Sequence, residues 1–167
     1  VVECRARGRF RKEGLTPLVG DFVTISMEHG KGTVETVLPR QNAFIRPAVA
    51  NVGLLVILAS CAIPETEPFL IDRILALAAH RSVPVVVCVN KDDLASGERL
   101  RRIYAHAGIP VLCTSAETGE GIDELRAMIA GKLAVFTGNS GGGKSSVLNA
   151  IALELRLAVG EVSQKLG

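Results

Sequence analysis

Residues Gly138–Ser146 read GNSGGGKSS, directly after the apolar run LAVFT (Leu133–Thr137) and directly before a segment of helical periodicity, KSSVLNAIALELRL. Gly138, Gly143, Lys144 and Ser145 satisfy GxxxxGK[ST], and strand before with helix after is the setting in which that pattern holds phosphate. Glycines let successive backbone N–H groups turn inward on an anion, and the helix N-terminus adds partial positive charge. The loop residues Gly138, Asn139, Ser140, Gly141, Gly142, Gly143, Lys144, Ser145 and Ser146 are therefore assigned to a nucleotide's phosphates. Lys144 is the catalytic charge reaching the β and γ phosphates, and the Ser145 hydroxyl is the Mg²⁺ ligand. Gly142, between two other glycines, leaves the loop unusually free of side chains. Only 21 residues follow, although a site that opens this way is usually followed by most of its domain.

Outward from the loop, short continuous apolar runs alternate with helix-length segments, the pattern of a parallel sheet covered on both faces. Strands are expected at 53–59, 84–90, 109–115 and 133–137. Between them lie PFLIDRILALAAHR, with Leu70, Ile74, Leu77 and Ala78 as its apolar stripe, then ERLRRIYAHAG and GIDELRAMIAG, each ending at a glycine suited to a C-terminal cap. The first third differs, with β-branched residues punctuated by Gly and Pro: VVECRARGRF, GDFVTISME and GTVETVLPR read as antiparallel strands. The expected organisation is a small β domain over residues 1–45 and an α/β domain over 46–167.

Two motifs at neighbouring strand ends select a base. NKDD, Asn90–Asp93, lies at the carboxyl end of a strand, where open α/β sheets bind ligands. A carboxylate there accepts from N1–H and N2–H₂ of guanine, a donor pair adenine lacks, so Asp93 is the guanine reader. The stem of Lys91 covers the purine face, Asn90 ties adjacent loops, and Asp92 completes the turn. In TSAETGEG, Ser115 and Ala116 end the next strand, placing the Ala116 N–H toward guanine O6. Alone, NKDD also reads as a polar helix-entry turn and TSAETGEG as a helix cap. Together with a phosphate loop they point to a guanine nucleotide.

A regular GTPase domain runs from phosphate loop through two switches to NKxD and then SA, whereas here the last two come first. Opening the same fold at another loop, a circular permutation, gives this order, and compact domains tolerate it. The switch region with its DxxG turn is then expected beyond Gly167. The stretches FIRPAVANVGLLVILAS, NKDDL, TSAETGEGIDEL and GNSGGGKSSVLN, in that order, resemble the permuted ribosome-associated GTPases of the RsgA/YjeQ type.

The resemblance implies an oligonucleotide-binding (OB) barrel, here partial, ahead of a circularly permuted α/β P-loop GTPase, and a C-terminal zinc domain absent from this sequence. It further implies GTP and GDP with Mg²⁺ as ligands, zinc only in that absent domain, and the small ribosomal subunit with its rRNA as partner. The implied function is GTP hydrolysis during late maturation of that subunit. The sequence departs from the family's usual GxSGVGKS at Gly142, which stands at the Val position, and lacks both switches. Nucleotide binding without efficient turnover is therefore expected of these residues.

In CRARGRFRK, Arg5, Arg7, Arg9 and Arg11 alternate, so a strand would project all four from one face as a phosphate-binding stripe. Taken alone the stripe also reads as a solvated sheet face. Phe10 would point the other way, so backbone contacts to rRNA are expected rather than base stacking.

A net charge of +2 over 167 residues does not by itself announce a nucleic-acid protein. Cys4, Cys61, Cys88 and Cys113 are scattered, without a CxxC pair, and read as small buried hydrophobes in a reducing compartment. The longest apolar stretch, 52–64, is too short to span a bilayer, and no leader opens the sequence. A cytoplasmic monomer is expected. His29, His80 and His106 have no partner spacing and receive no role. Two rival readings remain: another P-loop enzyme such as a nucleotide kinase, and a nucleotide-independent RNA-binding module on a degenerate GTPase fold.

Overall fold

A computed structural model describes residues 2–8, 10, 14–28, 30–45 and 47–152, and the chain divides into two units, Val1–Val52 and Gly53–Gly167. In the first, β1 (Cys4–Ala6), β2 (Val23–Glu28) and β3 (Lys31–Val37) form a sheet of order β1-β3-β2, while β4 (Ala43–Phe44) pairs with β5 (Val49–Ala50). β2 and β3 are an antiparallel hairpin, as the sequence suggests.

β1 corrects the sequence reading twice. It pairs parallel with β3, because the long connection over 7–22 and then β2 carry the chain back before β3 begins. It also ends at Ala6, with Gly8 in a turn and the Phe10 N–H donating to the Arg7 carbonyl at 3.2 Å. The four-arginine alternation therefore does not run along one strand. Arg5 sits in β1 opposite Thr33, Arg7 lies past its end, and Arg9, Arg11 and His29 fall outside the described residues.

A buried carboxylate ties the loops of this unit. Arg40 grips Asp21 with two hydrogen bonds, 2.7 and 2.8 Å, and reaches the Thr16 carbonyl at 2.8 Å, while the Leu18 N–H donates to Asp21 at 2.7 Å. The Arg40 hydrogen bonds hold the Asp21 carboxyl below its usual range. One face of β2, carrying Val23, Ile25 and Met27, is exposed.

In the second unit the chain alternates strictly: β6 (Leu54–Ser60), α1 (Pro68–His80), β7 (Val85–Asn90), α2 (Glu98–His106), β8 (Val111–Thr114), α3 (Ile122–Ile129), β9 (Ala134–Gly138) and α4 (Lys144–Ile151). The strands form one parallel sheet of order β8-β7-β6-β9. β6 is buried along its whole length, which is why LLVILAS reads as continuous rather than alternating hydrophobicity. Its residues Leu54, Val56 and Leu58 join Val86, Cys88, Ile122, Leu125 and Val147 in one core, against α3 and α4. Leu55, Ile57 and Ala59 are equally buried and face the opposite side, where α1 and α2 cover the sheet.

Differences from the expected elements are local. β8 starts at Val111 because Ile109 and Pro110 precede the ladder, Pro110 having no N–H to give it. The glycines expected to stop α2 and α3, Gly108 and Gly131, do so with φ of +74° and +71°. The apolar stripe of α1 is rotated: Ile71 and Ala78 are buried, whereas Leu77 is exposed. Leu70, Arg73, Ile74 and Leu77 instead line an open groove of about 250 Å³ with Thr137, Gly138 and Asn139. β9 bonds a single neighbour, β6, among the described residues. The part of the closing helix expected past Ala152 lies outside them.

Tyr104 is the sequence's single tyrosine, with no tryptophan, and its hydroxyl donates to the Pro68 carbonyl at 3.0 Å and to Asp72 at 3.1 Å. Burial, reinforced by the Asp72 carboxylate, pushes the phenol well above its ordinary value. An acid whose folded value is raised stabilises the fold below about pH 10, and that stability is lost as pH rises through the folded value. Tyrosinate absorbance should thus appear only well above pH 10 in the folded protein, and Tyr104→Phe should flatten the alkaline loss of stability.

Candidate nucleotide site

Strand register aligns the chemistry. Ser60 pairs with Asn90, Asn90 with Thr114, and Leu58 with Gly138, so β6, β7, β8 and β9 all end on the same carboxyl edge. The NKDD turn, the TSAETGEG turn and the phosphate loop start there.

Two glycines of the phosphate loop are dictated by space. Gly138 has φ +142°, and a Cβ there would overlap the Leu58 carbonyl oxygen on the adjoining strand. Gly143, the N-cap of α4, has φ +84°, and its Cβ would overlap the Asn90 amide nitrogen. Gly142 is different: a Cβ would lie 3.3 Å from the Asn139 carbonyl, close but not prohibitive. Lys144 folds over the loop, its ammonium donating to the carbonyls of Gly138 at 2.9 Å and Asn139 at 2.5 Å. Burial draws its pKa below the ordinary lysine value. Ser145 and Ser146 occupy the first turn of α4, neither with a side-chain hydrogen bond among the described residues, and Ser140 is exposed.

Asn90 joins the three loops. Its amide nitrogen donates to the Gly142 carbonyl at 3.3 Å, and its amide oxygen accepts from the Ala116 N–H at 3.2 Å and the Thr114 hydroxyl at 3.4 Å. The Ala116 N–H, assigned from sequence to a purine oxygen, is thus engaged by Asn90 here. Asp92 accepts the Gly97 N–H at 2.6 Å at the entrance of α2. Asp93 is exposed, and its carboxylate has no hydrogen bond or ion pair among the described residues. Lys91 has φ +71° and donates to the Ile63 carbonyl at 2.9 Å. Ser115 is fully buried, its hydroxyl accepting the Thr118 N–H at 3.1 Å, which orders the TSAETGEG turn.

Sequence reasoning missed the supports. Thr114, Ser60 and Thr66 are buried polar residues beside the motifs; a hydroxyl closing an apolar run was the signal that could have marked Ser60 and Thr114, whereas Thr66, between Glu65 and Glu67, carries none. Cys88 is the buried small hydrophobe expected, its thiol pushed up to about 11 by burial. Cys4, Cys61 and Cys113 are only half-buried, and Cys61 donates to the carbonyls of Ala95 at 2.9 Å and Asn90 at 3.3 Å. Of the arginine stripe, Arg7 is paired with Glu35 at 2.5 Å. No group of three or more metal-ligating side chains occurs among the described residues, and no helix among them is long and apolar enough to cross a membrane.

A parallel sheet that carries its phosphate loop on the last of its described strands, with NKxD and SA turns on the strands before it, defines a circularly permuted P-loop GTPase fold preceded by a β-rich domain. The sequence model of the RsgA GTPase matches residues 37–167, and that of the RsgA N-terminal domain matches residues 1–34. The chain belongs to the RsgA GTPase family.

Among its relatives, the small ribosomal subunit biogenesis GTPase RsgA of Agathobacter rectalis is 41% identical over 98% of this chain and 56% of its own length. That of Caldanaerobacter subterraneus is 40% identical over the whole chain and 58% of its own length. The crystal structure of YjeQ from Thermotoga maritima superposes with a TM-score of 0.81 at 40% identity, covering 93% of this chain and 58% of that one. YloQ, a circularly permuted GTPase, gives 0.77 at 34% identity, covering 92% and 56%. The chain thus spans somewhat over half the length of the relatives it matches.

The contact of Gly138 with the Leu58 carbonyl is backbone against backbone and cannot be relieved by a side-chain shift. Gly138→Ala should cost about 2 kcal/mol or more, from forbidden φ together with overlap. A lower urea midpoint with an unchanged slope is the expected reading.

Proposed function

We propose that this chain is the guanine-nucleotide-binding part of a GTPase that acts in maturation of the small ribosomal subunit. The observation that carries the reading is Asn90: one buried side chain joins the phosphate loop to both base-side turns and leaves the Asp93 carboxylate free at their rim. Such an arrangement suits a nucleoside diphosphate held at both ends. Asp93 reads N1–H and N2–H₂ of guanine, the Lys91 stem lies along the ring, and Gly138–Ser146 wraps the phosphates. The relatives' names supply the small-subunit context.

The residues fit Mg²⁺ in the usual P-loop manner, with the Ser145 hydroxyl as one protein ligand and phosphate and water oxygens as the rest. Bound there, the ion would neutralise charge on the β and γ phosphates. Lys144 would exchange the carbonyls of Gly138 and Asn139 for phosphate oxygens. GTP hydrolysis is assigned to the whole protein, because these residues include no DxxG turn to sense the γ phosphate and orient water. The N-terminal unit is proposed to contact rRNA phosphates through Arg5 and its neighbours, in the cytoplasm.

Titration with labelled GDP in competition with ADP tests the reading, and a chain that binds both equally or neither would sink it. Asp93→Asn replaces an acceptor oxygen by a donor facing N1–H or N2–H₂. GDP affinity should fall by about 2 to 4 kcal/mol, with xanthosine diphosphate gaining relative to GDP.

A second expectation concerns Lys144. Because burial lowers its folded value, the charged form costs stability at lower pH, and that cost disappears as pH rises through the folded value. Phosphate oxygens favour the ammonium, so GDP should move the Lys144 titration upward. Nitrogen-detected NMR of the lysine side chains with and without GDP measures the direction.

A further inference from the structure

We propose that the loop between β6 and α1, Ser60–Thr66, is a positioning element for purine recognition, holding Lys91 and the turn that follows it in the shape a guanine base takes. The inference rests on the guanine-binding reading above and deepens it.

The loop is closed on itself at its base. The Ser60 N–H donates to the Thr66 hydroxyl at 2.8 Å, the Thr66 N–H donates to the Ser60 carbonyl at 2.9 Å, and both residues are buried. From this closed base, contacts reach the base-side turn. The Cys61 N–H donates to the Asn90 carbonyl at 3.2 Å, and the Cys61 thiol to the carbonyls of Ala95 and Asn90. The Ile63 carbonyl accepts the Lys91 ammonium at 2.9 Å. Beyond the turn, Arg99 at the start of α2 bonds Glu65 at 2.9 Å.

These contacts are not a by-product of core packing, because the Ile63 side chain is 91% exposed and contributes its carbonyl alone. The Cys61 N–H bond to Asn90 is the last rung of the β6–β7 ladder, and the thiol and Ile63 contacts lie beyond it.

The consequence falls on Lys91. Its backbone is held at a positive φ that an L-residue seldom adopts, and its ammonium is anchored at the far end, so the four-carbon stem is stretched between two fixed points. A free lysine must surrender rotamer freedom to cover a purine face. A lysine already stretched does not, and the base meets a prepared wall. Burial, the largest influence, keeps the Cys61 thiol protonated, so it remains a donor to the turn.

The test is a double-mutant cycle in the full-length protein, read by fluorescence titration with N-methylanthraniloyl-GDP. Thr66→Val removes the hydroxyl that closes the loop, Thr66→Ser keeps it, and Cys61→Ala removes only the thiol tether. Thr66→Val and Cys61→Ala should each weaken GDP binding about three- to tenfold, as loss of single hydrogen bonds would, and Thr66→Ser should restore it. In a Lys91→Ala background each variant should cost clearly less than it does alone, because part of the loop's effect passes through Lys91 and the rest through the turn that follows it.

Unchanged GDP affinity in the loop variants, an unaffected Lys91→Ala single variant, or equal losses with and without Lys91 would each overturn the proposal. If Thr66→Val does not fold, Cys61→Ala decides alone, since it leaves the Ser60–Thr66 closure intact. Failure of the unsubstituted protein to bind GDP would instead remove the guanine reading, a result distinct from failure of the loop.

Discussion

The amide of Asn90 can reach the phosphate loop because Gly143 has no Cβ. That missing atom leaves room for the Asn90 amide nitrogen to meet the Gly142 carbonyl while its oxygen receives Ala116 and Thr114. Three loops from three strands are thereby tied at one buried point. A buried primary amide left half-paired is costly, so the loops are strongly biased to this one arrangement. Gly138 imposes a matching condition one strand over, where the β9 backbone must pass close to the Leu58 carbonyl. Between them, these two glycines set where the glycine-rich loop lies relative to the NKDD and TSAETGEG turns.

Much of the second unit was legible because its physics is local and repetitive. A strand buried on both faces has to be apolar throughout, and LLVILAS and VVVCVN cannot easily be read otherwise. GNSGGGKSS was legible because close backbone approach admits only glycine at particular positions. The rotation of the α1 stripe was not, since Leu70, Ile74 and Leu77 carry the same helical period as the true core face. Which of two adjacent apolar stripes turns inward depends on the sheet beneath, and no residue in the helix records it. The supporting role of Cys61 was hidden for a related reason: a thiol reads as a small hydrophobe until the carbonyls around it are placed.

The first unit was less legible. Its hairpin follows from β-branched residues flanking a glycine turn, yet the strand expected through the arginines stops at Ala6. Alternation of residue type is evidence of a strand only if a neighbour supplies the ladder, and β1 meets β3 over three residue pairs. Arg7 illustrates the electrostatic side: its charge is shared with Glu35, which also accepts the Ser26 hydroxyl at 2.7 Å. Spacing along a sequence counts positive charges but not the carboxylates that a sheet brings beside them. The Asp21–Arg40 pair was equally invisible, since its partners are far apart in sequence and neither belongs to a motif.

The order of motifs along the chain bears on how the molecule is made. A polypeptide emerges from the ribosome N-terminus first, and domains take shape as their segments appear. In this arrangement β6, β7 and β8, with their intervening helices, are available as a contiguous three-stranded set before β9 exists. β9 then adds to the open side of β6, and the phosphate loop closes against an Asn90 already in place. The nascent chain therefore carries its NKDD and TSAETGEG turns before its glycine-rich loop is made, the reverse of the order in a GTPase domain that opens with that loop.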